Sequence, residues 1–454
     1  MKNTTYGGEV AARLLRGARG IHMLGIGGVG MSALAMIMVS KGYRITGEDR
    51  VVSPVTQALA ERGISVSDRH KGLPLECGAL VYSAAISPSH PAFADAKENG
   101  IPILSRSDLL AFLMLESPRR VTVAGIHGKS TVTAMLDKIL SDGGQSPTTV
   151  SGATLSNQMT YRLGQGDVFL AEACEYTDSF LSFSPTLAIA LNLEHDHPDY
   201  FKDEAAVRAS FARYLSGASE GAILPAFGPL VSLAPRGLSV KTFGRGGDLS
   251  GELIGEGEGG IDFSMAYQGK NICAVHLPLL GAYQMDNALA AILSAKELGV
   301  PFESSAKALS DFVSPDRRCK EHPSIDGVRY FEDYAHHPSE IKAILLALRN
   351  ITKGRLICAF EAHTYSRLAR FFDRYREALS ISDFVLVLPI YPARETDTLG
   401  QSEIKLSAEL KVPSRAAFDY SEAAEILKES TASGDTVAVL GAGDTRLLFE
   451  KLLN

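Results

Sequence analysis

The chain has 454 residues, of which 45% are hydrophobic and 21% are charged, and its formal net charge is −7. This length predicts two to four domains, most naturally three, each with enough apolar residues for its own core. The acidic balance and the lack of a basic block argue against a nucleic-acid-binding protein.

The cysteines and the apolar runs indicate the compartment. The five cysteines are scattered, odd in number and without a CxxC pair, which argues for reduced thiols and against a disulfide framework. The first twenty residues lack the apolar core of a signal peptide. The longest apolar stretch, around 31–39, is shorter than the ~18 residues that a membrane span needs. We therefore expect a cytoplasmic protein with no membrane insertion.

Short apolar runs alternate with helical patterns along the whole chain, which is typical of parallel sheets covered by helices. The expected strands are 21–24, 43–46, 79–83, 121–124, 168–171, 186–191, 328–331, 355–360, 384–388 and 436–440. The Gly-rich stretch 244–269 is expected to be irregular, with 244–260 a linker or a hairpin loop. Breaks near 117 and 313 predict an α/β protein with domains at 1–117, 118–313 and 314–454.

A glycine-rich turn follows the first expected strand. Gly25, Gly27 and Gly30 form a GxGxxG pattern that opens a helix, where free backbone N–H groups favour a diphosphate. Asp49 ends the next strand, where an acidic side chain suits a ribose hydroxyl. This motif alone leaves three interpretations open: a dinucleotide such as NAD, another diphosphate ligand, or a turn without a ligand.

A second glycine-rich loop, GIHGKST at 125–131, runs from a strand into a helix expected from Thr131. Its N–H groups suit a β-phosphate, Lys129 suits the β- and γ-phosphates, and the hydroxyl of Ser130 or Thr131 suits Mg²⁺. Two residues separate its glycines, where the standard P-loop has four. A nucleotide site is favoured over a solvated turn because strand, loop, lysine and hydroxyls agree.

Polar residues also follow other strands. Glu172 ends one strand, and His195 and His197 follow the next, at the edge where open α/β sheets bind ligands. Carboxylate oxygens suit Mg²⁺ better than imidazole does, so His197 is a candidate for a second metal. The alternative is that these strand ends are solvated turns.

The last section carries an arginine pair and several histidines. Arg317 precedes the DYAHHP run at 333–338, and His363-x-Tyr365-x-Arg367 follows a later strand. Arginine pairs with phosphate and stabilises transferring phosphoryl charge. Taken alone, the arginine pair is better explained by a solvated surface and the His363 segment by a plain turn. A capped helix start at Pro338 explains the histidine pair as well as a metal or acid–base role does.

In chain order these segments resemble the Mur ligase family, and the resemblance covers nearly the whole chain. The segments are GIGGVGMS at 25–32, AGIHGKST at 124–131, AEACEYTDSF at 171–180, NLEHDHPDYF at 192–201, NALAA at 287–291, RR at 317–318, EDYAHHPSEI at 332–341, YPARE at 391–395 and GAGD at 441–444. The combination of GIGGVGMS with DYAHHP is similar to the branch of the family that adds L-alanine.

The resemblance implies a Rossmann-like N-terminal domain for a UDP-sugar, a central P-loop ATPase-like domain, and a Rossmann-like C-terminal domain for an amino acid. It implies ATP and Mg²⁺ as cofactors, and UDP-N-acetylmuramate and L-alanine as substrates. The implied reaction joins L-alanine to the muramate carboxylate through an acyl phosphate, in peptidoglycan precursor synthesis. Whether the chain is a monomer or a homodimer stays open.

The resemblance also implies roles for individual residues. For the UDP-sugar and the acceptor these are Gly27, Gly28, Val29, Gly30, Met31, Ser32, Asp49, Ser83, His336, His363 and Arg367. For ATP they are Gly125, His127, Gly128, Lys129, Ser130, Thr131, Asn287 and Arg317. The implied metal ligands are Ser130, Glu172 and His197, and the implied catalytic residues are Lys129, His197, Arg317, Asp333 and His336.

Several positions depart from the usual family pattern. They are Ile126 in the P-loop, Tyr283 and Gln284 before NALAA, Ser314 before the arginine pair, Thr364 after His363, and Arg394 in YPARE. Thr364 stands where the family usually has an arginine, which puts the choice of amino acid in doubt. These departures keep two alternatives open: a related ligase for another amino acid or a recycled tripeptide, and a non-catalytic UDP-sugar-binding paralogue. An NAD-dependent oxidoreductase leaves the P-loop unexplained.

Overall fold

The computed structural model describes residues 6–393 and 395–452. The N-terminal section has a parallel sheet in the order β3-β2-β1-β4-β5. Its elements are α1 (Gly8–Leu14), β1 (Gly20–Leu24), α2 (Val29–Ser40), β2 (Arg44–Glu48), α3 (Pro54–Glu61), β3 (Ser65–Ser67), β4 (Cys77–Tyr82), α4 (Pro91–Glu98), β5 (Ile103–Ser105) and α5 (Arg106–Met114).

In the middle section the strands β12-β11-β10-β6-β9-β7-β8 pair in that order, all parallel except the β7–β8 pair. The elements are β6 (Arg119–Ala124), α6 (Lys129–Asp142), β7 (Thr148–Val150), β8 (Tyr161–Arg162), β9 (Val168–Glu172), a 3₁₀ helix (Tyr176–Ser182), β10 (Leu187–Ala190), α7 (Glu204–Ser216), β11 (Gly221–Pro225), α8 (Leu230–Leu233), β12 (Ser239–Phe243), β13 (Leu249–Gly257), β14 (Gly260–Tyr267), β15 (Lys270–Leu277), α9 (Gln284–Glu297) and α10 (Phe302–Leu309).

The C-terminal section has a sheet in the order β16-β17-β21-β18-β19-β20, in which only β16 is antiparallel to its neighbour. Its elements are β16 (Lys320–Ile325), β17 (Val328–Asp333), α11 (Pro338–Ile351), β18 (Leu356–Phe360), α12 (Tyr365–Arg370), α13 (Phe372–Leu379), β19 (Phe384–Val387), α14 (Glu403–Glu409), β20 (Ser414–Ala416), α15 (Tyr420–Ser430), β21 (Thr436–Leu440) and α16 (Arg446–Leu452).

By their internal contacts the described residues fall into two compact units. The first runs to Leu193 and adds Val207–Asp248 and Ala290–Pro301. The second holds Glu194–Ala206, Leu249–Leu289 and the chain from Phe302 onward. The α/β prediction is confirmed, and the domain boundaries at 117 and 313 stay predictions. No described helix is long and apolar enough to cross a membrane.

The Gly-rich stretch differs from its prediction. Most of 244–269 is regular, because β13 and β14 pair as a long antiparallel hairpin that closes through Gly257 and Gly260. Gly260 has φ +114°, and a Cβ there would lie 2.1 Å from the carbonyl oxygen of Leu277. The glycines therefore mark a tight turn and a close backbone approach inside a sheet. The prediction of an irregular segment was wrong, and the structure agrees with the hairpin alternative.

Caps fix the helix that follows the DYAHHP run. His337 is the N-cap of α11, Pro338 stands at the first helical position, and the Glu340 carboxylate accepts from the amide of His337. This satisfies N–H groups that have no partner inside the helix. The caps therefore fix where His336 and His337 stand relative to the end of β17.

Candidate active site

The first candidate site is the glycine turn between β1 and α2. Gly25 adopts φ +73°, and the carboxylate of Asp49 accepts a hydrogen bond from the amide of Gly27 at 2.9 Å. A Cβ on Gly27 would lie 2.8 Å from Cγ2 of Thr56 and 2.9 Å from Oδ2 of Asp49. Asp49 therefore holds the turn closed, and in this structure its side chain binds backbone where the sequence predicted a ribose contact.

The amides at the start of α2 are available for an anion. Among the described residues, the N–H groups of Val29 and Gly30 have no hydrogen-bond acceptor, whereas those of Met31 and Ser32 bind the carbonyl of Gly28. The Met31 side chain is buried, and the Ser32 hydroxyl donates to the carbonyl oxygen of Val29 at 3.1 Å. Two backbone donors at a helix N-terminus suit a phosphate group.

Ser83 lies beside the same turn, at the end of β4. Its amide donates to the carbonyl of Leu24, and its Cβ would be 3.3 Å from a Cβ built on Gly25. The hydroxyl accepts from the amide of Ala85 at 3.3 Å. The structure therefore brings Ser83, predicted for the substrate, to the glycine turn.

The second candidate site is the loop between β6 and α6. Gly128 is left-handed at φ +82° and caps α6, which begins at Lys129, two residues before the predicted start. The backbone of His127 is held from both sides by the Asn192 side chain, with distances of 2.9 and 3.0 Å. Gly125, at φ +140°, completes the loop. The contacts of Asn192 and the two glycines therefore fix the shape of the loop.

Lys129 is ion-paired inside this loop. Its Nζ lies 3.0 Å from Oε2 of Glu175, whose side chain is 2% exposed, and it also donates to the carbonyls of Gly125 and Ile126. Burial by itself lowers the pKa of Lys129, but the carboxylate of Glu175 outweighs it and holds the pKa at about 12. The ammonium is therefore fully charged at neutral pH and available to a phosphate that displaces Glu175.

Ser130 and Glu172 meet at the same strand edge. Glu172 ends β9, which pairs with β6, and its Oε2 accepts from the Ser130 hydroxyl at 3.1 Å. Its Oε1 accepts from the Ser151 hydroxyl and from the amide of Gly152 at 2.8 and 2.6 Å. A serine hydroxyl and a carboxylate are the hard oxygen donors that Mg²⁺ prefers, so this pair fits that ion. Thr131, the alternative hydroxyl, is buried in the first turn of α6.

The third candidate site lies in the second unit around a buried ion pair. Asp196, which is 2% exposed, accepts from Nε and Nη2 of Arg367 at 2.8 and 3.2 Å. Burial raises the pKa of Asp196, but His197 and Arg367 hold it well below its ordinary value. Arg367 Nη1 lies 2.8 Å from Nδ1 of His363. A guanidinium only donates, so Nδ1 of His363 accepts and its proton sits on Nε2.

His336 stands next to His363, with ring centroids 5.7 Å apart. Its Nδ1 lies 3.0 Å from the carbonyl of Tyr334, which only accepts, so Nδ1 carries the proton and Nε2 carries a lone pair. Burial lowers the pKa of His336 to about 4, and burial together with His336 and Arg367 lowers the pKa of His363 to about 3. Both rings are neutral at physiological pH.

Asp333 and Arg317 are held by their own unit. The Asp333 carboxylate accepts from the amides of Cys319 and Ala335, both at 2.7 Å, and burial raises its pKa to about 6. Arg317 is ion-paired with Glu332 at 3.0 Å and donates to the carbonyl of Gly441 at 2.7 Å. In this structure the Arg317 guanidinium contacts Glu332 and Gly441. To bind a phosphate, it would have to give up these contacts.

Asn287, predicted for the adenine edge, lies half-buried on α9, where its amide donates to Oε1 of Gln284 at 2.9 Å. Gln284 is one of the departures from the family pattern. That departure therefore supplies the present hydrogen-bond partner of the predicted adenine-binding residue.

Among the described non-glycine residues that the sequence singles out, His197 at φ +53°, Arg317 at φ +58° and Thr364 at φ +68° have left-handed backbone. This region of backbone conformation is uncommon for any residue with a side chain and is most unfavourable for a β-branched one such as Thr364. Such backbone strain clusters at functional sites. Thr364 is the N-cap of α12, and its hydroxyl accepts from the amide of Arg367 at 3.4 Å. Arg394, the other departure on this side, lies outside the described residues.

Sequence reasoning missed three partners in these sites. Glu175 carries no motif signal beyond its place in AEACEYTDSF, and Asn192 carries none beyond being the first residue of NLEHDH. Asp196 was not singled out, although it lies between the two histidines that were. All three are polar residues just beyond strand ends, which is the one signal that could have found them.

Comparisons with known proteins match segments that together extend from residue 20 to residue 443. Sequence profiles of the Mur ligase family match in three consecutive segments: the catalytic domain at 20–117, the middle domain at 123–295, and the glutamate ligase domain at 317–443. A protein named UDP-N-acetylmuramate–L-alanine ligase from Agathobacter rectalis is 36% identical over 446 residues, covering 95% of this chain and 97% of the relative. One of the same name from Clostridium tetani is 33% identical over 441 residues, covering 93% and 95%.

A solved structure supports the same fold. The UDP-N-acetylmuramate-alanine ligase of Thermotoga maritima superposes with a TM-score of 0.81 at 23% identity, covering 96% of this chain and 98% of its own. A murein peptide ligase from Psychrobacter arcticus gives a TM-score of 0.70 at 21% identity, covering 96% and 98%. With three family segments in order and relatives above 30% identity along nearly its full length, the chain belongs to the Mur ligase family.

Proposed function

We propose that this chain joins L-alanine to the carboxylate of UDP-N-acetylmuramate at the expense of ATP, in the synthesis of peptidoglycan precursors. The observation that carries the proposal is the 36% identity, across 95% of the chain, to a relative named for that activity. The three candidate sites supply the chemical groups that such a reaction needs. Five cysteines without a disulfide agree with a reducing cytoplasm as the place of the reaction.

The glycine turn is proposed to hold the UDP diphosphate. The amides of Val29 and Gly30 provide the donors, and Asp49 keeps the turn in shape through the amide of Gly27. Gly28 and Gly30 permit a close approach of the ligand to backbone. Because Asp49 already binds the turn, its proposed part is to position these donors.

The P-loop is proposed to bind ATP. Carboxylate and triphosphate repel each other, so the positive charge of Lys129 is required before the muramate oxygen reaches the γ-phosphorus. The carboxylate oxygen forms a bond to that phosphorus, ADP leaves, and an acyl phosphate remains. Ser130 and Glu172, with His197 proposed for a second ion, are the groups that would hold Mg²⁺, whose charge offsets that of the phosphates.

The second unit is proposed to bind the acceptor amine. The nitrogen of L-alanine attacks the carbonyl carbon of the acyl phosphate, phosphate leaves, and one proton is lost from the amine. His336 carries a lone pair on Nε2 and is proposed to accept this proton, and Asp196 holds Arg367 and, through it, His363. Asp333 accepts from the amides of Cys319 and Ala335 and so joins the segment before β16 to the turn after β17.

A second candidate is ligation of a recycled tripeptide to the same carboxylate. Thr364 keeps it open, since this side chain stands where the family usually has an arginine and so puts the choice of acceptor in question. Incubation of the protein with UDP-N-acetylmuramate, ATP, Mg²⁺ and an equimolar mixture of L-alanine and tripeptide separates the two by the mass of the product. We expect the mass gain of one alanine residue; a gain of the tripeptide, or no product, would reject the main proposal.

A further inference from the structure

A cluster of imidazoles and carboxylates lies in the N-terminal sheet, apart from the three candidate sites. Glu48 ends β2, His70 follows β3, and His90 is the N-cap of α4. One ligand atom of each lies within 4.8 Å of those of the other two. His22 on β1 and Asp95 on α4 complete the cluster, so five residues from neighbouring strands and loops converge.

The two oxygens of Glu48 differ. Oε1 accepts hydrogen bonds from Nε2 of His22 at 2.9 Å and from Nδ1 of His70 at 2.7 Å. Oε2 is buried and has no hydrogen-bond partner among the described residues, and the whole residue is 5% exposed. A buried carboxylate oxygen left without a partner is costly. Oε1 is thus fully used, and Oε2 faces a position that calls for a positive group.

His90 stands across that position. Its Nε2 lies 3.5 Å from Oε2 of Glu48, which is too long for a good hydrogen bond. Ligand atoms bound to one tetrahedral Zn²⁺ at ~2.0–2.2 Å are roughly 3.3–3.5 Å apart, so the separation fits an ion between them.

His70 has the partner that a metal-bound histidine commonly has. Its Nε2 lies 2.8 Å from Oδ2 of Asp95, so a carboxylate orients the ring while Nδ1 faces Glu48. A carboxylate behind a ligating imidazole fixes its tautomer and raises its basicity. Nδ1 of His70 also hydrogen-bonds Oε1 of Glu48 at 2.7 Å, so binding an ion through Nδ1 replaces that hydrogen bond. The charges of His70, His22 and Arg50 all act on His90 against a further cation.

We propose that Glu48, His70 and His90 form a site for a divalent transition metal of the Zn²⁺ class, with Asp95 and His22 orienting the ligands. Two imidazoles and a carboxylate suit Zn²⁺ and Co²⁺ and leave a further position for water. Binding through Nε2 of His90 moves its proton to Nδ1 and gives up the 3.3 Å cap to the amide of Ala92. That cap is long, and its loss is small beside three metal bonds.

Metal titration of the full chain tests the site. The protein is freed of metal with a chelator and kept in excess Mg²⁺, so that hard oxygen sites are filled. Zn²⁺ is then titrated in competition with a chromophoric chelator, and Co²⁺ is followed by its visible absorption. We expect one equivalent of each ion, with a tetrahedral or five-coordinate Co²⁺ spectrum.

Two variants and one control test whether the bound Zn²⁺ occupies this site. His90→Asn removes one ligand and keeps a residue that can cap α4, and Glu48→Gln removes the charge. Each is expected to weaken Zn²⁺ binding more than ~10-fold, the lower bound for loss of an outer-shell partner. His276→Asn, which removes an exposed histidine paired with Asp262 at 2.9 Å, is expected to bind like wild type. An unchanged stoichiometry and affinity in a folded His90→Asn protein, or no stoichiometric binding by wild type, would overturn the proposal.

Discussion

Replacement of Lys129 by methionine, alone and together with a change at Glu175, separates two roles of Lys129: binding phosphate and pairing with the buried Glu175. The change leaves the Glu175 carboxylate buried at 2% exposure without the ammonium that lies 3.0 Å away. Breaking a buried pair by removal of one partner costs ~3–5 kcal/mol, and the 17% exposure of Lys129 places this case near the lower end. We therefore expect Lys129→Met to lose about 3 kcal/mol in free energy of unfolding.

The double variant Lys129→Met/Glu175→Gln removes the stranded charge. It is expected to recover most of that loss in urea denaturation, because neither partner is then charged. Both variants are expected to lose phosphate release by at least ~10²-fold, since the charge that offsets the γ-phosphate is gone. Binding of UDP-N-acetylmuramate, measured by calorimetry, is expected to persist in both, because the glycine turn is a separate site.

Lys138→Met is the matched control on the same helix. Lys138 pairs with Asp142 at 2.9 Å one turn along α6, and such pairs contribute ~0.3–0.5 kcal/mol. It is expected to change neither phosphate release nor UDP-sugar binding. Release near the wild-type rate from Lys129→Met, or a double variant no more stable than the single one, would refute the reasoning.

Three further predictions concern the other sites. Gly27→Ala places a Cβ 2.8 Å from Cγ2 of Thr56, so it is expected to raise KM for the UDP-sugar and leave KM for ATP unchanged, whereas Gly255→Ala, which meets open space, is expected to change neither. Glu172→Gln is expected to raise the Mg²⁺ concentration for half-maximal phosphate release by at least ~10-fold, and an unchanged requirement would contradict Glu172 as a ligand. The buried Asp333 has a pKa raised to about 6, so it stabilises the fold when protonated and loses that contribution as the pH rises. Urea denaturation at a series of pH values is expected to show a decline of up to ~3 kcal/mol between about pH 4 and pH 6 that is absent in Asp333→Asn; equal slopes would contradict it.

Much of the fold could be predicted because its signals are local. The strand predicted at 436–440 is β21, and the glycine turns were placed because a strand, a fixed glycine spacing and a helix occur within a few residues. For the β13–β14 segment the sequence leaves a linker and a hairpin loop open and does not predict its two long strands, because its many glycines favour irregular chain. Its pairing depends on residues of a neighbouring strand, which composition does not reveal.

The residues of the candidate sites likewise fall into those that the sequence predicts and those that it does not. Ser130 and Glu172 could be predicted together because parallel strands bring their carboxyl ends to one edge. The pair of Asp196 and Arg367 joins residues 171 positions apart, and Glu175 reaches Lys129 from a turn with no regular period. Such partners follow from tertiary packing, so the sequence predicted the reacting groups better than the residues that hold them.

The most direct test of the proposed activity is phosphate release from ATP and Mg²⁺ by the purified protein with UDP-N-acetylmuramate. The assay is run without an acceptor and with each of L-alanine, L-serine, glycine and the tripeptide. The account predicts release that requires both UDP-N-acetylmuramate and L-alanine, and that is lost in Lys129→Met. Release that depends on another acceptor, or tight binding of the UDP-sugar without any release, would contradict it.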